Sequence, residues 1–190
     1  MTYYHCSPTP GLTLLQPGQP AFSEKPRRVY MTTLVPMALM YGIRNYEYTY
    51  GYMQDGKMNF DEYFPNELEV LYRGKSASLY ICDPGLTEST KIPNEAVSRE
   101  PVPVVSETFI PDLCEALLEQ ARLGTLVIRR HRELPEKQLQ WIRDVQADII
   151  RKRDLLHKSG PESDYYRTHY PESWKLAAEA CENADATAGC

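Results

Sequence analysis

The chain has 190 residues, 42% hydrophobic and 25% charged, enough to bury one sizeable core in one domain but too few for two full ones. A formal net charge of −5 argues against a broad grip on nucleic-acid phosphates, which needs a clustered basic surface. No apolar run approaches a membrane span, and the first residues show neither a basic leader nor a hydrophobic stretch of signal-peptide length, so a cytoplasmic protein without membrane contact is expected.

In chain order, residues 2–6 read as a short strand, followed by a loop punctuated by Pro8, Pro10, Gly11, Pro17, Gly18 and Pro20. Residues 27–32 form the next predicted strand. Thr33 is then a helix cap, with Pro36 in the first turn and the helix running through Ala38 to Tyr41. From Tyr46 to Phe64 the sequence is dense in tyrosine, a residue suited to a half-buried surface that keeps its hydroxyl wet.

Residues 67–72 and 76–83 read as strands joined by a turn at Arg73-Gly74-Lys75. Two extended pieces follow, 96–99 and 102–105, where Pro101 and Pro103 suit an edge or a bend. Leu113, Ala116, Leu117 and Ala121 give residues 110–122 helical spacing, with Asp112 near the N-terminal end and Gly124 past the close. Residues 126–128 form a short strand. Leu139, Ile142, Val145, Ile149 and Leu156 predict a long amphipathic helix over 135–156. Residues 159–190 read as a loosely packed tail with a short helix around Trp174 to Ala180, outside a domain of residues 1–158.

Cys6, Cys82, Cys114, Cys181 and Cys190 are odd in number and scattered, which fits reduced thiols better than disulfides or zinc. The four histidines are equally dispersed. The stretch Asp55-Gly56-Lys57-Met58-Asn59-Phe60-Asp61-Glu62 resembles the back half of a calcium loop, but Gly51 and Met53 fall where oxygen ligands belong, so a plain turn is preferred. Arg129-Arg130-His131-Arg132 and Arg151-Lys152-Arg153 read as a solvated strand end and helix face, with phosphate contact the alternative. His5 and Cys6 are neighbours on a strand and point to opposite faces, which disfavours a thiol–imidazole pair.

Tyr4-His5-Cys6-Ser7, then Val29-Tyr30-Met31-Thr32-Thr33, then Ala38-Leu39-Met40-Tyr41 put a histidine on one strand, a tyrosine on the next and another tyrosine on the following helix. This order resembles the start of the ADP-ribosyltransferase-like fold, shared by poly-ADP-ribose polymerases and several bacterial toxins. Asn94-Glu95-Ala96-Val97 is similar to the family's late acidic stretch, with Glu100 as the alternative acid. The likeness spans roughly the first two thirds of the chain.

The resemblance implies an α+β protein with a split β-sheet core, flanking helices and a long C-terminal helix. It implies NAD as substrate, with His5, Tyr30 and Glu95 as catalytic residues and Cys6, Ser7, Ala38 and Tyr41 at the cofactor. By that likeness His5 hydrogen-bonds the adenosine ribose, Tyr30 and Tyr41 sandwich the nicotinamide, and Glu95 stabilises the cationic sugar. The family's glycine after the histidine is Cys6 here, and its helical serine is Ala38, whose missing hydrogen bond costs about 1 kcal/mol. The implied activity is transfer of ADP-ribose to an unknown protein or nucleic-acid acceptor, or NAD hydrolysis. A non-catalytic interaction protein on the same fold and an RNA 2′-phosphotransferase are the alternatives.

Overall fold

The computed structural model describes residues 1–18, 26–47 and 49–188, with side chains described to residue 182. Pro20, Cys190 and Tyr48 of the tyrosine-rich segment lie outside the described residues. The protein is mixed α+β and divides into two compact units, Met1–Phe60 with Leu68–Ile128, and Asp61–Glu67 with Arg129–Cys190. These bounds differ from the expected division at residue 158. Among the described residues no helix is long and apolar enough to cross a membrane.

The first unit carries strands β1 (Tyr3–Ser7), β2 (Leu14–Leu15), β3 (Val29–Thr32), β4 (Tyr50–Tyr52), β5 (Met58–Asp61), β6 (Ala77–Cys82), β7 (Glu88–Ser89), β8 (Glu95–Ser98), β9 (Val102–Ile110) and β10 (Leu126–Arg129). Its helices are α1 (Val35–Met40), α2 (Glu67–Tyr72) and α3 (Leu113–Arg122), with the ends of β5 and β10 and the first residue of α2 falling in the second unit. A seven-stranded sheet runs β2-β9-β6-β1-β3-β8-β7, and a three-stranded sheet runs β10-β5-β4. The strand nearest the N-terminus thus lies at the centre of the larger sheet.

Several expectations are met. The first two predicted strands are β1 and β3, and 76–83, 96–99 and 126–128 become β6, β8 and β10. Helix α3 forms but starts at Leu113, three residues later than expected, because Ile110 still belongs to β9 and the Asp112 carboxylate caps the helix by accepting the Glu115 amide at 3.1 Å. Gly124, at φ 74°, takes the left-handed conformation just past the helix end. The 53–57 segment is a plain turn, closed by Met53 N–H to Lys57 O at 2.7 Å with Gly56 at φ 82°. Pro103 sits beside a register shift of β6 against β9 at Ile81 and Cys82, the kind of irregularity that tolerates proline.

Other expectations are corrected. Residues 67–72 are the helix α2 rather than a strand, since Leu68 and Tyr72 are buried one turn apart while Val70 is exposed. Thr33 does not cap α1. Leu34 holds that place without a side-chain bond, and Thr33 instead ties its amide and hydroxyl to Asn94 at 3.0 and 3.2 Å. What holds α1 is burial, because Pro36 to Met40 are all enclosed in a core with Leu68, Tyr72, Leu113 and Leu117. Leu14–Leu15, expected as loop, pairs with β9.

The second unit is helical, with α4 (Glu136–Lys152), α5 (Pro161–His169) and α6 (Pro171–Ala188). The long amphipathic helix forms as expected, though its buried face is Ile142, Gln146, Ala147 and Ile150. Asp154 at φ 55° ends it, and Leu155 rather than Leu156 turns inward. The expected tail instead holds two helices that each begin at a proline, where the missing amide is harmless. Helix α6 packs along α4, and Tyr166, Tyr170 and Ala177 are buried.

Arg129 and Arg130 are half-buried and engaged in ion pairs rather than fully solvated. Arg129 grips the buried Asp61 carboxylate with Nε at 2.7 Å and a second guanidinium nitrogen, and Arg130 pairs with the buried Glu62 at 2.8 Å. Arg151 and Lys152 share Asp148, and Arg153 reaches Glu162 at 2.7 Å.

Candidate functional site

The site lies wholly in the first unit and starts from a left-handed residue. Asn94 adopts φ 64°, a conformation asparagine tolerates better than most residues, and its carbonyl accepts the Thr33 amide. That junction starts β8 at Glu95. The register then pairs Tyr4 with Thr32 and Thr32 with Glu95, so these three side chains share one face of the sheet. Tyr30, two residues before Thr32, faces the same way opposite Val97.

Helix α1 brings its following residue to this face. The Tyr41 hydroxyl donates to Glu95 Oε2 at 3.4 Å and lies 2.6 Å from the Tyr50 hydroxyl, with the two rings edge to face at 6.0 Å. Tyr52 donates to the Pro93 carbonyl at 2.7 Å. Burial pushes the Tyr30 phenol above its ordinary pKa, the Glu95 charge adds to the rise, and the Arg28 guanidinium opposes it. The Tyr52 phenol is raised too, first by burial, with Glu95 again contributing against a hydrogen bond from Asn94. Three expected residues, Tyr30, Tyr41 and Glu95, are therefore neighbours around one carboxylate that is 8% exposed. A concavity of about 330 Å³ reaches Glu95 at the strand end, but its lining, with Tyr3, Thr33 and Ala96, belongs to the opposite face of the sheet and includes neither Tyr30 nor Tyr41.

His5 is placed differently. It pairs with Tyr80 across β1 and β6, and its ring stacks on that of Tyr80 at 6.5 Å, on the face opposite Tyr4, Thr32 and Glu95. Its tie to the cluster is through main chain, Nδ1 donating to the Tyr30 carbonyl at 2.9 Å. A side chain thus bridges β1 and β3 next to their Tyr4–Thr32 pairing. Burial holds the imidazole below its ordinary pKa, partly offset by the bond to Tyr30.

Ala38 and Cys6 have side chains in the core, 1% and 3% exposed, so neither can line a surface cleft. Cys6 sits against Gly42, where an added Cβ would meet its sulfur at 2.8 Å. The Ser7 hydroxyl accepts the Thr9 amide at 3.2 Å and shapes the turn leaving β1. Glu100 is exposed beyond the end of β8 in a turn held by Ser98, which leaves Glu95 as the acid of the cluster.

Sequence reasoning gave no role to Tyr50, Tyr52 or Arg28. The signal for the tyrosines was their alternation about Gly51, which puts both on one face of β4. Arg28 carried no local signal beyond its position two residues before Tyr30. The chain matches no protein-family model, and a search of curated proteins finds no match either.

Proposed function

We propose that this chain is an ADP-ribosyltransferase-like enzyme that binds NAD against Tyr30, Tyr41 and Glu95 and transfers ADP-ribose to an acceptor or to water. The observation that supports this reading is the contact between Tyr41 and Glu95 with Tyr30 alongside, phenol rings around one buried carboxylate. Such a set suits a pyridinium ring, because the electron-rich aromatic face and the anion both attract its positive charge.

The chemistry asked of these residues is modest. As the bond from the ribose C1′ to nicotinamide breaks, its electron pair leaves with the base and positive charge gathers on the sugar. The Glu95 carboxylate lowers that barrier by lying near the charge as it develops. The Tyr41 hydroxyl, held between Tyr50 and Glu95, fixes the carboxylate's orientation. An acceptor hydroxyl or water adds at C1′ and loses its proton to solvent. His5, in this geometry, positions the Tyr30 main chain rather than the adenosine ribose. Engagement of Arg129 and Arg130 by Asp61 and Glu62 leaves the phosphotransferase alternative with less support.

The test is release of nicotinamide from NAD by the purified chain, with Glu95→Gln as the control. Turnover that disappears in the variant supports the enzyme. Retention of NAD without turnover in either protein would mark the non-catalytic alternative, and no retention at all would end the reading.

A further inference from the structure

We infer that Arg28 holds the diphosphate of the dinucleotide in this site. The inference rests on the functional reading above and adds to it the residue that selects a dinucleotide over free nicotinamide. Arg28 stands two residues before Tyr30, opposite the end of β8, and by strand alternation projects from the face that carries Tyr30, Thr32 and Glu95. Its Nε is buried and has no hydrogen-bond partner. A guanidinium donor left buried in this way is costly, and turning the side chain from Glu88 toward a bound phosphate relieves that cost by bringing Nε to an acceptor.

Charge points the same way. Arg28 and Arg99 both pair with Glu88, at 3.3 and 2.8 Å, so two guanidinium groups share one half-exposed carboxylate and the cluster keeps a net positive charge. Glu88 can stay with Arg99 when an anion takes its place on Arg28. Spacing agrees as well. Two residues of strand span about 7 Å, comparable to the one ribose that separates nicotinamide from its nearest phosphate. A planar guanidinium fork is also the donor set best matched to phosphate oxygens.

The experiment is calorimetric titration of the full chain and its Arg28→Gln, Arg28→Lys and Glu88→Gln variants with NAD, ADP-ribose and nicotinamide. Arg28→Gln should weaken NAD and ADP-ribose by about tenfold or more, the loss of a charge-assisted hydrogen bond, while nicotinamide binds as before. Arg28→Lys should fall between, and Glu88→Gln should tighten ADP-ribose by freeing the guanidinium. Equal ADP-ribose affinity in all four proteins overturns the inference and leaves the functional reading standing. Arg28-dependent ADP-ribose binding with no affinity for nicotinamide or NAD keeps the anion site and overturns that reading. Failure of the unaltered chain to bind any of the three overturns both. If Arg28→Gln does not fold, the opposite sign expected of Glu88→Gln still decides, and no tightening there overturns the inference.

Discussion

The hydroxyl of Tyr41 lies 3.4 Å from a carboxylate oxygen of Glu95, although 54 residues separate them in the chain. One residue follows a buried helix and the other opens a strand next to the sheet edge, and neither has a local reason to seek the other. Their meeting makes Glu95 the centre of the tyrosine cluster.

Replacing Glu95 with Gln removes a negative charge that disfavours ionisation of Tyr30 and Tyr52. Both phenols should then titrate at lower pH than in the unaltered chain, followed by ultraviolet difference absorbance of the phenolate. The accompanying loss of nicotinamide release should be about a hundredfold or more, as for other groups that stabilise developing charge. Unchanged phenol titration would mean that Glu95 does not face these rings.

Changing Tyr41 to Phe keeps the edge-to-face ring contact with Tyr50 and deletes the hydroxyl bonds to Tyr50 and Glu95. A stability loss of about 0.5–1.5 kcal/mol is expected from urea unfolding. Tyr50→Phe should cost a similar amount, and the double variant less than the sum, because the two share one hydrogen bond.

His5 and His169 are both held below the ordinary imidazole value of 6.5 by burial. The unfolded chain therefore takes up protons first as pH falls. Their contribution to stability is full above 6.5, declines as pH drops toward the folded-state values, and is flat below them. The urea midpoint should fall between about pH 7 and pH 5, ahead of the carboxylates. His5→Gln should shrink that fall, and a fall of the same size would show that His5 does not carry it.

The Cys6 thiol, buried in the core, is pushed up to about 12, and Cys82 to about 11. Neither should react with a disulfide reagent in the native state, whereas Cys181, partly exposed, should react readily, as mass spectrometry would record. Gly42→Ala presses on the same place, since its Cβ would stand 2.8 Å from Cys6 Sγ and 3.0 Å from the Leu39 carbonyl. A loss of about 1–3 kcal/mol is expected, with only part regained on adding Cys6→Ala because the carbonyl cannot retreat.

Local pattern was enough wherever one period ran long enough to be unambiguous. The α4 periodicity, the Asp112 cap of α3 and the apolar strands β3 and β6 are written in neighbouring residues. Residues 67–72 were not legible in the same way, because Leu68, Val70 and Tyr72 alternate as a strand would while Leu68, Leu71 and Tyr72 also fit a helix turn. Only packing, which encloses Leu68 and Tyr72 and exposes Val70, decides between them. The C-terminal helices were obscured by a weak apolar pattern, and burial of Tyr166 and Tyr170 supplies what propensity lacked.

The sequence alone determined where most strands and helices lie and which side chains have chemistry to offer, because capping, turn residues and hydrophobic period act over a few neighbours. Which of those side chains share a face was decided by the tertiary structure. A strand's faces alternate with every residue, so the register of β1 against β3 and β6 assigns His5 to one side and Tyr30 and Glu95 to the other. The same long-range pairing brought in Tyr50 and Arg28, since strand register depends on contacts between residues far apart in the chain.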